Sequence, residues 1–280
     1  MLIVDSQVHI WAANTPERPW PPVQPGQPEA HKPEPITRDI LLHEMAVAGV
    51  DRAVLVSPVF EGVRNDVVIA AAQAYPDRFA VMARIDPEAP ASREMIPTLL
   101  RQPGLLGLRF TFHRPMQRRL LTTGQIDWLW PQAEQEDLSI MLLVRHSDLH
   151  IVDRIAGRHP GLKLVIDHLG LTEGKNEEAF REFGKLLPLA KRANVGVKAS
   201  CLPLFTTDAY PYRWLHPYLR QVYDTFGPKR IFWGSDLSRL PCSYRQSVTM
   251  FTEEMAWLHG DDLEWIMGRG LCQWIGWETS

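Results

Sequence analysis

The sequence predicts a single (β/α)8 barrel, and three observations point to it. Eight short apolar runs recur along the 280 residues, helical patterns separate them, and polar residues stand where the runs end. Near-continuous hydrophobic strands separated by helices belong to a parallel sheet covered on its outside. Eight such units in a length near about 250 residues match a barrel. An open, doubly wound sheet would carry a glycine-rich phosphate turn after its first strand. This chain has Asp5-Ser6-Gln7-Val8-His9 there instead. No linker or shift in composition divides the chain, so one domain over residues 1–280 is expected.

The first run opens almost at Met1 and ends at His9 and Trp11, with Asp5, Gln7 and His9 on one side at period two. Burying such groups costs roughly 1–3 kcal/mol each unless each is satisfied. The run is therefore one wall of a site or a structural hydrogen-bond network. Residues 14–35 follow, dense in proline from Pro16 to Pro35. Proline at that density excludes helix and sheet interior, and the position after the first strand suggests an ordered flap across the mouth of a site.

From Thr37 the pattern turns helical. Thr37 is placed as N-cap, Gly49 ends the helix, and Ile40, Leu41, Met45 and Ala48 share a face. Further strands are expected over 52–57, 79–85, 105–110, 139–144, 162–167, 195–198 and 230–236. The helices between them are expected over 65–74 (capped by Asn65), 92–100, 126–136, 148–158, 177–192 and 214–226. Pro188 kinks or divides the 177–192 segment. Helices over 243–258 and from 262 onwards finish the chain.

A net charge of −3 gives no electrostatic footprint for nucleic acid or an anionic membrane. With 45% hydrophobic and 22% charged residues the composition is that of an ordinary globular protein. Cys201, Cys242 and Cys272 have no metal-binding spacing, and a sparse, odd count suggests reduced thiols. No leader pattern opens the chain and no apolar run reaches membrane-spanning length. A cytoplasmic protein acting on a small molecule is expected. An oligomer is compatible with such a chain, and the sequence does not choose its order.

In a barrel, chemistry collects at the C-terminal ends of the strands. Here those ends carry Gln7 and His9, Arg84 and Asp86, Arg109, Arg145 and His146, Asp167 and His168, Lys198 and Ser200, and Asp236. Three of these segments, Asp5-Ser6-Gln7-Val8-His9-Ile10-Trp11, Val165-Ile166-Asp167-His168-Leu169-Gly170 and Trp233-Gly234-Ser235-Asp236, resemble the amidohydrolase superfamily. They resemble specifically its amidohydrolase-2 branch, which includes 2-pyrone-4,6-dicarboxylate lactonase, sugar lactonases and zinc-dependent decarboxylases. The motifs span nearly the whole chain, and the second and third are closer to the lactonase side.

A carboxylate at the end of the eighth strand can take a proton from water and deliver hydroxide to an ester carbonyl. The resemblance implies that role for Asp236. His9 and His168 then face the oxygen side, where donors to a developing oxyanion are worth about 2.7–4 kcal/mol each. Gln7 is expected to orient the carbonyl or the water. Arg109 is shaped to hold a substrate carboxylate through two parallel hydrogen bonds, and Arg145 adds a second anchor. The competing reading for both is an internal salt bridge to Asp86 or Asp167. His113, His146 and Tyr210 are pocket candidates by neighbourhood. Lys198 follows the family's seventh-strand pattern without a chemical role to assign. His31, His43, His150, His159, His216 and His259 fall in loops or helices and are expected to be exposed.

Metal-dependent members of the superfamily begin with His-x-His, and Gln7 stands in place of the first imidazole. An amide is a poor zinc ligand, so no cofactor is expected. The alternative is one zinc ion held by His9, His168 and Asp236, with or without His146. The resulting reading is a hydrolase that opens a lactone or related cyclic ester, one bearing a carboxylate. Its rivals are a zinc-dependent decarboxylase or amide hydrolase on the same scaffold and, more distantly, a non-catalytic binding protein.

Overall fold

The computed structural model describes residues 1–21 and 30–277. Its strands are β1 (Val4–Val8), β2 (Arg52–Leu55), β3 (Phe79–Ala83), β4 (Leu105–Thr111), β5 (Ser139–Leu143), β6 (Lys163–Ile166), β7 (Val195–Ser200) and β8 (Ile231–Gly234). They form one eight-stranded sheet in the order β1 to β8, each parallel to the next. Helices lie between consecutive strands, and the (β/α)8 barrel read from the sequence is the observed fold.

Local chemistry accounts for most element boundaries. The Thr37 hydroxyl accepts from the Ile40 N–H, and Arg38–Ala48 ends where Gly49 adopts φ 79°, a left-handed conformation that favours glycine. Asn65 precedes the helix Asp66–Ala74 but does not cap it with its side chain. Its amide instead clamps Arg84, accepting from the Arg84 N–H at 2.9 Å and donating to the Arg84 carbonyl at 2.8 Å. The 177–192 segment is divided into Glu177–Phe180, Phe183–Lys185 and Leu187–Lys191, with Pro188 in the first turn of the last piece, where its missing N–H costs nothing. One helix, Pro115–Thr122, was not foreseen: its arginine-rich face carries no apolar stripe long enough to show.

The barrel closes where β8 meets β1. The Asp236 N–H donates to the Gln7 carbonyl at 3.0 Å. The buried Asp5 carboxylate staples the same seam, accepting from the N–H groups of Gln7 and Ser235 (both 2.9 Å), from the Tyr244 hydroxyl (2.7 Å) and from the Ser235 hydroxyl. Burial nevertheless raises Asp5 to about 6, outweighing those hydrogen bonds. Gly234 is required at this seam, because a Cβ there would collide with Ser6 Oγ. The β1–β2 register shifts between Asp5 and Val8, breaking the period-two side expected from the sequence. Asp5 is thus separated from Gln7 and His9: it belongs to the seam, not to the cavity.

Two apolar clusters sit on either side of the strands. The larger fills the space between barrel and helices, with Leu55, Val81, Leu108, Leu142 and Ile166 among its members. The smaller joins Val4, Val54, Met82, Met141, Val165 and Phe232, all from different strands, to Leu271, Cys272 and Ile275 of the last helix, Gly270–Ile275. That helix plugs the N-terminal end of the barrel, and the opposite end is left for polar residues.

Candidate active site

At the C-terminal ends of the strands lies a cavity of about 160 Å³. Gln7, His9, Arg109, His168 and Asp236 line it, as the strand-end rule anticipates, together with His31, His113, Arg114 and Arg239. His168 (φ 52°) and Asp236 (φ 52°) are both held in the left-handed region, and so is the neighbouring Cys201 (φ 58°). Conformations of that kind cost a non-glycine residue about 1–3 kcal/mol and cluster at functional sites. Here they turn the imidazole and the carboxylate off their strands toward one point.

That point is surrounded by lone pairs. His9 Nε2 stands 3.4 Å from Asp236 Oδ1, and His168 Nε2 stands 3.6 Å from Asp236 Oδ2. Charged pairs approach more closely, at about 2.7–2.9 Å. The protonation pattern explains the gap. His9 Nδ1 lies 2.7 Å from the Val56 carbonyl, which can only accept, so the ring proton sits on Nδ1 and Nε2 is bare in the neutral ring. Lys198 fixes the other ring. Its ammonium donates to Gln7 Oε1 at 2.8 Å, which aims the Gln7 N–H at His168 Nε2, 3.5 Å away, while His168 Nδ1 meets Ser200 Oγ at 2.8 Å. Burial lowers His9 to about 3 and His168 to about 4, so both rings are neutral at pH 7. Burial would raise Asp236, but the positive charge of His9 and His168 where they are protonated, with Arg239 and His31, holds it below its ordinary value. Its Oδ1 is buried without a hydrogen-bond donor.

This geometry bears on the donor role expected of the two imidazoles. A neutral His9 with its proton on Nδ1 cannot donate from Nε2 to an oxyanion, and the same holds for His168. His9 Nε2 is left to accept from whatever sits beside Asp236, while the lone pair of His168 Nε2 faces the Gln7 N–H.

Beneath the cavity runs a buried ion-pair network. Asp167 pairs with Lys198 at 2.9 Å and with Arg109 Nε at 3.0 Å. Despite burial, which opposes ionisation, those two cations hold Asp167 well below the usual carboxylate range. Burial pulls the Lys198 ammonium down, against the pull of Asp167. Arg109 also donates to the Thr111 hydroxyl, which receives Arg84 at 3.2 Å. The internal salt bridge is therefore real for Arg109, and its partner is Asp167.

Other expected residues are brought elsewhere. Arg145 donates to the His113 carbonyl at 2.8 Å and approaches Glu173, at 3.6 Å, outside the cavity. His146 turns to the Leu169 carbonyl at 2.9 Å and packs edge-on against Phe183. Tyr210 is tied to Thr249 Oγ1 at 2.8 Å. None of the three lines the cavity. His31, expected to be exposed, is a wall of it: its Nδ1 meets Ser238 Oγ at 2.8 Å, and its ring packs edge-on 5.4 Å from His9. So the described part of the proline-rich segment reaches the site, while residues 22–29 of that segment lie outside the described residues. The available clue was that His31 is the imidazole within the segment expected to cover the mouth.

Two imidazole lone pairs and a carboxylate are the ligand types of a three-coordinate zinc with an open position, so His9, His168 and Asp236 fit a divalent cation chemically. Gln7 cannot complete the set while its oxygen serves Lys198. Among the described residues no group of three His, Cys, Asp or Glu is already assembled at cation-binding separations. The three donors would have to close on an ion.

The strand ends of an eight-stranded barrel thus carry a buried acid and two imidazoles. The particular family follows from comparison: the amidohydrolase family model matches residues 4–269, and the chain belongs to that family. It is a hydrolase. It is 30% identical over 256 residues to an L-fucono-1,5-lactonase from Burkholderia ambifaria, covering 85% of this chain and 81% of that one. Among solved structures it is similar to a zinc-bound amidohydrolase from Burkholderia multivorans (TM-score 0.78, 20% identity, 99% of each chain). A second likeness is to a putative 2-pyrone-4,6-dicarboxylic acid hydrolase from Pseudomonas putida (TM-score 0.77, 20% identity, 100% and 99% of the chains). No helix among the described residues is long and apolar enough to cross a membrane.

Proposed function

We propose that the protein opens a small lactone by attack of a water activated by Asp236. The observation that carries this reading is the partnerless Oδ1 of Asp236, buried at the end of β8 beside the bare Nε2 of His9 and facing His168. A water placed there can only donate, so its hydrogens turn to Asp236 and an Nε2 and its oxygen lone pair is left for a carbonyl carbon. Asp236 takes the proton as the C–O bond forms. Arg109, oriented by Asp167 and Thr111, and the amide of Gln7 supply N–H groups to the carbonyl oxygen. Collapse of the tetrahedral intermediate breaks the ring C–O bond, and the proton on Asp236 goes to the departing alkoxide, giving a hydroxy acid. The lactonase and pyrone-hydrolase relatives support this class of substrate.

A cavity of about 160 Å³ suits one ring, since a 150 Å³ cavity holds about one benzene. Where a divalent cation is bound, His9, His168 and Asp236 would hold it, and it would supply polarisation of water or carbonyl. Asp236→Asn removes the base and keeps the shape. Its kcat on a lactone is expected to fall roughly 10²–10⁴-fold with little change in KM. Near-normal turnover would refute the assignment. Measuring acid release against carbon dioxide release separates lactone opening from decarboxylation.

A further inference from the structure

The charges around the cavity are not balanced. In its floor Asp167 is matched twice, by Lys198 and Arg109. At the cavity wall Arg239 makes no side-chain hydrogen bond or ion pair with any described residue. It closes the turn Leu237–Arg239 that follows Asp236, and its N–H donates to the Asp236 carbonyl at 2.8 Å. The turn is tied on its other side by Ser238 to His31, at 2.8 Å. Arg239 is thus fixed at its backbone while its guanidinium is uncommitted. It has not collapsed onto Asp236, whose Oδ1 remains without a donor. Among the described residues, an unpaired cation and a carboxylate with one oxygen lacking a donor share one small cavity without pairing.

A second unmatched group faces the same space. His113 lines the cavity and its Nδ1 is buried without a partner. Burial, reinforced by Arg109, Arg114, Arg145 and Arg239, lowers its ring to about 3. His113 is therefore neutral and sits in a field of guanidinium groups, a place where an anion is favoured and a further cation is not.

We propose that Arg239, seconded by His113 Nδ1–H, grips a carboxylate on the substrate ring, so that this hydrolase is specific for a lactone acid rather than a neutral sugar lactone. The inference rests on the lactone-opening reading for the reaction, but the anion grip itself does not. It also moves the anchor from Arg109, which is committed to Asp167, to the loop after β8. A guanidinium can meet a carboxylate with two parallel hydrogen bonds.

The test compares 5-oxotetrahydrofuran-2-carboxylate with γ-butyrolactone, the same ring without the acid, and adds tetrahydrofuran-2-carboxylate as a ligand with no ester to cleave. The wild-type protein should prefer the lactone acid in kcat/KM. In Arg239→Gln the acid-to-neutral ratio should fall roughly 10- to 100-fold, as expected for loss of a charge-assisted hydrogen-bonded pair. Calorimetric binding of tetrahydrofuran-2-carboxylate should weaken by a similar factor, and Arg239→Lys should recover part of it. An unchanged ratio and unchanged binding in Arg239→Gln, or a wild-type preference for the neutral ring, overturns the proposal. If neither lactone is opened while ether-acid binding still depends on Arg239, the grip stands and the lactone reading fails. If both rings are opened alike and Arg239→Gln changes nothing, the reverse holds.

Discussion

The two ends of the barrel interior are built from the same strands and do opposite things. At the N-terminal end Met82, Met141, Val165 and Phe232 form an apolar plug under the last helix. At the other end the same strands β3, β6 and their neighbour β7 carry Arg84, Asp167 and Lys198, with Asp236 just beyond β8. Successive inward positions on a strand are two residues apart, so Val165 and Asp167 occupy adjacent layers. The plug contributes nothing chemical, but it excludes water from one side. It gives the polar layer the low dielectric in which burial depresses His9 and His168 and in which Asp167 needs two cations. The comparison teaches that the site is dry from below and charged from above.

The contrast is broken most severely by changing one residue from each layer. Lys198→Met leaves Asp167 with Arg109 alone and releases Gln7. It should cost about 3–5 kcal/mol of stability, as for a buried pair deprived of one partner, and lower kcat as the His168 tautomer loosens. Met141→Ala in the plug should cost a similar about 2–5 kcal/mol through its cavity, with the pH dependence of kcat unchanged. Denaturant unfolding and pH–rate profiles of both variants measure this. Equal kinetic effects from the two layers would erase the distinction.

A smaller effect is the pH dependence of stability. The folded-state values of His9 and His168, about 3 and about 4, lie below the 6.5 of a free imidazole. Between those limits the unfolded chain binds more protons, so stability is intact above 6.5 and is lost as pH falls toward 4 and then 3. Each imidazole contributes a slope of at most about 1.4 kcal/mol per pH unit in that window. His168→Asn should flatten the slope between pH 4 and 6, as measured by urea midpoints. Turnover should likewise show no acid limb near 6.5; such a limb would mean that the imidazoles act as cations after all. Smallest of all is the expected effect of a chelator. On the proposed reading Asp236 and the imidazoles arrange the water, so activity after dialysis against chelator should match that before it; loss restored by zinc would assign the water to a cation instead.

How much of this could be read in advance varies residue by residue. Asp236, His9, His168 and Gln7 were legible because a strand end fixes where a side chain emerges. Arg109 was legible as a cavity residue, and its salt bridge to Asp167 was one of two readings left open, since only the packing of β4 and β6 on either side of β5 decides between them. Arg145 and His146 sit two and three residues past the end of β5, where the backbone turns into the 3₁₀ segment His146–Asp148, and they leave the cavity. Asp5 misled through the β1 irregularity, which no local pattern announces. His31 and Arg239 come from loops, whose paths are set by distant partners.

By itself the sequence determined the strand–helix alternation, the barrel, and the acid and imidazoles at its mouth, because hydrophobic period and strand polarity are local properties. Only the tertiary structure decided which imidazole nitrogen is bare, which arginine is paired with Asp167, and which cavity arginine has no hydrogen-bond or ion-pair partner among the described residues. Those are outcomes of contacts between residues far apart in the chain, as Arg109 with Asp167 (58 apart) and Gln7 with Lys198 (191 apart) illustrate. A charge's partner, unlike a strand's period, is chosen in three dimensions.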